Sequence, residues 1–186
     1  MTHTESMMRH MRIVLDMFRK TGDFDEQWVH CRSFLDTLHS IVDTNTEAYK
    51  ALSEYEVIRY GVVLRNIFHH QPLTAFGKHA VIPASMTFNF KVGEPFKATV
   101  KLALVISNEM LARPEVRDQL RKSSRPILTE MLAKLRGNDV PVERLMVGIM
   151  DVVERHCRET GQYDERADRP ARGFTLRPGK PRSSSG

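Results

Sequence analysis

The most apolar helical pattern in the chain lies at residues 57–68, which read VIRYGVVLRNIF. Four residues interrupt its apolar surface: Arg59, Gly61, Arg65 and Asn66. Because a helix that is apolar nearly all round lies inside a domain, we expect the central helix of the fold here. The capping-box spacing of residues 44–47 predicts its start, and Pro72 predicts its end near His70.

Amphipathic helices are predicted on both sides of this stretch. Apolar residues recur at three- and four-residue spacing over residues 7–18 and 28–42, and Asp23 and Asp25 can cap the second of these helices. Three later prolines each fit the first position of a helix: Pro114, Pro126 and Pro141. We expect the helix that starts at Pro114 to continue to residues 123–124.

Alternating apolar and polar residues predict one β-hairpin. Residues 86–92 and 96–106 alternate in this way, and residues 93–95 supply a turn. A lone hairpin is marginally stable in water, so it must pack on the helices or pair with another strand. Residues 80–82 are a candidate for that strand.

The predicted fold class is α+β and mainly helical, with five to six helices and one antiparallel β-hairpin around residues 86–106. Hydrophobic residues make up 41% of the chain and charged residues 27%, which excludes disorder of the whole chain. Apolar periodicity disappears from Glu159 onward. We therefore expect a single globular domain over residues 1–160 and a flexible basic tail over residues 161–186.

The uncharged stretches are too short for a spanning helix, and residues 1–20 contain no unbroken apolar core of a signal peptide. Two cysteines, Cys31 and Cys157, do not make a disulfide framework. We expect a protein that is not secreted, has no transmembrane segment and works in the cytoplasm.

The net charge of +5 is unevenly distributed. Residues 113–136 hold seven Arg or Lys and three acids, and residues 165–186 hold six Arg or Lys and two acids. The rest of the chain is therefore slightly acidic. Anionic partners are expected to contact two local basic segments.

The first basic segment has arginines spaced four apart, which on one helix form a stripe that suits a phosphate backbone. Its residues are Arg113, Arg117, Arg121, Lys122 and Arg125. In the alternative interpretation this is a solvated face, partly offset by Glu115 and Asp118.

The second basic segment is the tail, whose cations lie among Pro and Gly. They are Arg166, Arg169, Arg172, Arg177, Lys180 and Arg182. Basic arms of this kind bind nucleic acid or anionic lipid, to which Phe174 and Leu176 can add stacking or shallow insertion. The alternative is a solubilising tail.

No catalytic motif and no metal-ligand spacing is found in the sequence. The adjacent pairs His30-Cys31 and His156-Cys157 cannot chelate by themselves on a helix, and the histidines at 69, 70 and 79 more often flank a helix end. We expect no metal, no cofactor and no catalytic residues. The methionines fit a core, with a surface stripe at Met7, Met8 and Met11 as the alternative.

The order of elements resembles the body of rhabdovirus matrix proteins. The similar stretch is residues 28–107, with a long apolar helix at 55–68 and Thr87-Phe88-Asn89-Phe90 leading through a turn into 96–105. The resemblance implies a non-enzymatic virion protein that self-associates, condenses the nucleocapsid and contacts the inner membrane face. It carries no signature motif and no PPxY sequence near the start.

Residues 158–164, RETGQYD, are similar to the end of tobamovirus-type rod coat proteins. Both resemblances imply a viral structural protein that assembles and touches RNA. We therefore expect a matrix-type assembly protein in the virion and host cytoplasm, with itself, RNA or nucleoprotein, and an anionic membrane surface as partners. The alternatives are a small cytoplasmic nucleic-acid-binding regulator and a rod-type coat protein.

Overall fold

The computed structural model describes residues 3–44, 46–70, 76–82 and 101–161 of the 186-residue chain. Within these ranges there are eight helices: α1 His3–Lys20, α2 Phe24–Thr44, α3 Thr46–Leu52, α4 Glu56–His70, α5 Asn108–Leu111, α6 Pro114–Gln119, α7 Arg125–Leu135 and α8 Val142–Glu159. Three strands accompany them: β1 Gly77–Ile82, β2 Lys101–Ile106 and β3 Val140–Pro141. The predicted mainly helical α+β class is confirmed.

Helices α1, α2, α4 and α8 pack together and enclose the core. The turn between α1 and α2 ends at Asp23, whose Oδ1 accepts a hydrogen bond from the Glu26 amide at 2.9 Å, as the predicted cap requires. Helix α4 contacts α2, α7 and α8. It approaches two of them closely at Gly61, where a Cβ would lie 2.8 Å from Leu38 Cδ2 and from Ile149 Cδ1. The central position predicted for this helix is therefore confirmed.

The sequence predicts one helix without a break from residue 44 to about His70, and this prediction is wrong. The chain leaves the helical conformation between α3 and α4, at residues 53–55. Arg59 stabilises the break, because its Nη1 donates to the backbone oxygens of Ser53 at 3.1 Å and Glu54 at 3.2 Å. These carbonyls lie just beyond the end of α3, where backbone acceptors need outside donors.

The strands form a small antiparallel sheet in the order β1-β2-β3. Gly77 pairs with Ile106 at one end of the β1–β2 ladder, and β3 pairs with the last two residues of β2. Strand β2 falls within the predicted strand 96–106, and β1 contains the candidate strand 80–82. The predicted partner 86–92 and the turn at 93–95 lie outside the described residues.

An aromatic cluster joins α2, α4 and the start of β1. Trp28 makes edge-to-face contacts with Phe24 and Phe68, and Phe68 makes another with Phe76. Gly77 follows Phe76 so close to the indole that a Cβ there would lie 1.9 Å from Trp28 Cζ2. Only glycine allows the strand to approach the ring in this way.

Asp139 links strand β1 to the segment that follows β2. Its Oδ1 accepts from the Asn108 amide at 3.0 Å, and its Oδ2 lies 2.8 Å from Lys78 Nζ. Burial raises the pKa of this carboxyl, but the hydrogen bonds from Lys78 and Asn108 outweigh it and leave the pKa below its ordinary value. One side chain thereby ties β1 to the start of α5 and to the segment before β3.

Helix α1 buries Met8 and Met11 and exposes two other apolar residues. Met8 and Met11 are fully buried, so the alternative interpretation of a surface methionine stripe is wrong. Ile13 and Met17, one helical turn apart, are 57% and 48% exposed instead. On the neighbouring helix α2, Val29 is 64% exposed.

Ion pairs join the helices at their outer edges. Arg12 of α1 lies 2.8 Å from Glu154 of α8, and Arg65 of α4 lies 3.1 Å from Asp36 of α2. Further interhelical pairs are Arg19–Glu143, Arg59–Glu130 and Lys134–Glu56. These cations hold one helix against another.

Candidate anion-binding surface

The first basic segment spans α6 and the turn that leads to α7. Helix α6 is anchored by Val116 and followed by Leu120, and both side chains are buried in the core. Pro114 occupies the start of α6, as its sequence position predicts. The residues between Val116 and Leu120 are exposed to solvent, while these two buried side chains fix the segment to the core.

Four cations of this basic segment are exposed to solvent: Arg113, Arg117, Arg121 and Lys122. We refer to these four residues as the basic corner. In the part of the chain that the structure describes, none of them forms an ion pair, although Glu115 and Asp118 lie on the same short helix. The basic corner is therefore a cluster of exposed positive charge that Glu115 and Asp118 offset only in part.

The single helical stripe predicted from Arg113 to Arg125 does not form. Helix α6 ends at Gln119, and Leu120 adopts an extended conformation with ψ of 146°. A turn follows in which the Ser124 amide donates to the backbone oxygen of Arg121 at 2.9 Å. Burial of Leu120 redirects the chain, so the cations lie around a bend rather than along a helix face.

Arg125 differs from the other members of the predicted stripe. Its Nε donates to the backbone oxygen of Leu120 at 3.1 Å, and its Nη2 donates to that of Asp118 at 3.0 Å. The guanidinium thus caps the free carbonyls at the end of α6. Arg125 stabilises the bend, and its donors are largely committed to the backbone.

The second basic segment falls outside the described residues. Its members Arg166, Arg169, Arg172, Arg177, Lys180 and Arg182 remain predictions, as does the flexible character of residues 161–186. Gly161, which follows α8, has a positive φ of 68°.

The cysteines are packed in the core and are poor nucleophiles. Burial raises the pKa of the Cys31 thiol to about 12. Burial, together with the nearby Glu154 carboxylate, raises the pKa of Cys157 to about 11. Within the described ranges, no group of three or more His, Cys, Asp or Glu side chains is arranged to hold a metal ion. His69 and His70 are exposed at the end of α4, with ring centroids 5.1 Å apart.

Of the helices that the structure describes, none combines the length and apolar character needed to cross a membrane. Comparisons of the chain with protein-family models, with curated proteins and with solved structures found no match.

Proposed function

We propose that the chain is a non-enzymatic assembly protein of the matrix type, which self-associates and contacts RNA or nucleoprotein and an anionic membrane surface. The observation that carries the proposal is the contrast in charge pairing. Interhelical cations such as Arg12 and Arg65 have carboxylate partners, whereas the basic corner has none among the described residues.

The chemistry of the basic corner suits a phosphate backbone. Arginine forks present several N–H donors to phosphate oxygens, and contact with phosphates releases condensed counterions. The cations curve around a bend, so they can meet successive phosphates of a flexible single strand more readily than a straight duplex. In the alternative interpretation the same cations only keep this face solvated.

The basic tail supplies the second contact in this proposal. Removal of residues 165–186 from the full chain takes away six Arg or Lys and two acids. We expect the deletion to weaken binding of a labelled single-stranded RNA and to flatten its salt dependence. Unchanged affinity and slope would exclude the tail as a contact.

The membrane contact is tested separately with vesicles. We expect the full chain to float with liposomes that contain phosphatidylserine and to remain behind with neutral phosphatidylcholine liposomes. If the chain binds RNA but does not float with either, the matrix interpretation fails and a cytoplasmic nucleic-acid-binding regulator takes its place.

Self-association is proposed to use the exposed apolar residues of the first two helices. Ile13, Met17 and Val29 leave apolar surface in water that a second copy of the chain would cover. Sedimentation velocity should show concentration-dependent oligomers, which Ile13→Asp weakens. A monomer at every concentration would contradict this part of the proposal.

A further inference from the structure

Three successive residues at the bend after α6 are exposed to solvent: Arg121, Lys122 and Ser123. They follow the buried Leu120 and lie in the turn that leads to α7, where the Ser124 amide donates to the Arg121 backbone oxygen at 2.9 Å. Ser123 is thus an exposed serine directly beside two cations of the basic corner. The next residue, Ser124, is only 9% exposed. Exposure to solvent therefore distinguishes Ser123 from its neighbour.

Positive charge lies on both sides of Ser123 in the chain. Arg121 comes two residues before it, Lys122 directly before it and Arg125 two residues after it. No acidic residue occurs in residues 119–129. Protein kinases select their substrates in part by the pattern of charge around the acceptor hydroxyl. A serine kinase with an acidic substrate groove therefore finds complementary charge on both sides of this serine.

We propose that Ser123 is a phosphorylation site and that its phosphorylation weakens binding of RNA to the basic corner. This inference rests on the proposed RNA contact. In the modification, Ser123 Oγ attacks the γ-phosphorus of ATP bound to a protein kinase, and a new O–P bond forms. The bond between that phosphorus and the oxygen bridging to the β-phosphate breaks and ADP leaves. The proton of the hydroxyl passes to the catalytic carboxylate of the kinase.

A phosphate group on Ser123 changes the charge of the basic corner in two ways. Four cations against Glu115 and Asp118 leave an excess of two positive charges, and the phosphate carries a charge of about −1.5 to −2 near neutral pH. Its oxygens can also accept from Arg121 and Lys122, the two cations that precede it in the chain. The phosphate therefore neutralises the excess and competes with RNA for the same donors.

The first experiment tests the modification itself. The full chain is treated with ATP and a serine kinase selective for basic residues on both sides of the acceptor, such as the catalytic domain of protein kinase C. Fragmentation mass spectrometry should place phosphate on Ser123 and none on Ser6, which is exposed on α1 but follows Glu5 and has no cation within two residues. It also separates Ser123 from Ser124 and from the serines at 183–185. No phosphate on Ser123, or phosphate on Ser124 in its place, would overturn the proposal.

The second experiment measures binding of a labelled single-stranded RNA. The phosphorylated chain should bind about tenfold more weakly, and its slope of log affinity against log salt should be shallower by about 1.4, which corresponds to two lost phosphate contacts. Ser123→Ala, treated with kinase in the same way, should keep the affinity of the untreated chain. Because its tail receives the same treatment, this comparison removes any contribution from the serines at 183–185.

A pair of variants repeats the test without a kinase. Ser123→Glu should weaken RNA binding about threefold, since it adds one negative charge to the basic corner. Ser6→Glu is the matched control, because it makes the same change at an exposed serine of α1, and it should leave the affinity within about twofold. Equal effects of the two substitutions would overturn the proposal.

The outcomes separate this inference from the proposed function. If the untreated chain binds RNA and the phosphorylated chain binds equally well, regulation at Ser123 is wrong and the RNA contact stands. If the untreated chain does not bind RNA, the RNA contact fails and the regulation fails with it, even where Ser123 accepts phosphate. Thermal unfolding of the phosphorylated chain should have the midpoint of the untreated chain, and a large decrease would overturn the proposal of a local effect.

Discussion

The arginines between the helices differ from those of the basic corner in what surrounds their guanidinium groups. Arg12 and Arg65 lie against carboxylates of neighbouring helices, at 2.8 and 3.1 Å. Arg113 and Arg117 are exposed to solvent and have no such carboxylate partner among the described residues. Packing therefore divides the described cations into those paired with a carboxylate of another helix and those without such a pair, which neither their number nor their spacing reveals.

The first prediction tests whether the free energy of unfolding depends on the packed core and not on the basic corner. Phe34 is fully buried in α2. Phe34→Ala should lower the free energy of unfolding by about 3–5 kcal/mol, because it removes a large side chain and leaves a cavity. Chemical denaturation followed by circular dichroism measures this, and Asp151→Ala, at an exposed position of α8, is the control, with an expected change within about 0.5 kcal/mol. Similar losses in both variants would contradict the core described here.

The second prediction tests the close approach of β1 to the aromatic cluster. Gly77→Ala should cost about 1–3 kcal/mol, since the new methyl group would overlap the Trp28 ring. Gly22→Ala is the matched control, because nothing lies within 4 Å of a Cβ at that position. Thermal unfolding of the two variants checks the difference. Equal midpoints would show that Trp28 and Gly77 are not in contact.

The third prediction separates two arginines that the sequence places in one stripe. Arg125→Gln should cost about 1–2 kcal/mol of stability, because it removes the donors to the Asp118 and Leu120 oxygens. Arg117→Gln should change stability by less than about 0.5 kcal/mol. Urea denaturation of both variants measures the difference. If the two substitutions destabilise the chain equally, Arg125 does not cap α6.

The smallest effect concerns pH at the sheet edge. The pKa of Asp139 is lowered in the folded chain, so its contribution to stability is present above its ordinary value of 3.8 and is lost as the pH falls through the lower folded-state value. Asp139→Asn should cost under about 1 kcal/mol near neutral pH, and the difference from the wild type should vanish in acid. Unfolding measured between pH 6 and pH 2 tests this, and a difference that grows in acid would contradict it.

Much of the helical framework can be predicted from the sequence because local signals mark it. Pro114 and Pro126 lie at the starts of α6 and α7, Pro141 directly precedes α8, and the cap at Asp23 marks the start of α2. The break between α3 and α4 has no such signal. It depends on Arg59, which reaches back to carbonyls five and six residues earlier.

Prediction of the candidate site likewise needs both local sequence signals and the packed structure. Charge counting identifies the basic corner, but the bend that shapes it depends on burial of Leu120, which is a property of the packed chain.

We propose that the exposed cations of the basic corner, which have no carboxylate partner among the described residues, bind a polyanion. The most direct measurement is the salt dependence of single-stranded RNA binding for two triple variants of the full chain. One replaces Arg113, Arg117 and Arg121 by Gln. The matched control replaces Lys20, Arg144 and Arg155, three exposed cations outside the corner.

We predict that the corner variant binds more weakly and that the slope of log affinity against log salt becomes shallower by about 2, which corresponds to three lost phosphate contacts on a single strand. The control variant should keep a slope close to that of the wild type. Identical slopes for the wild type and the corner variant, or an equal loss in both variants, would contradict the claim.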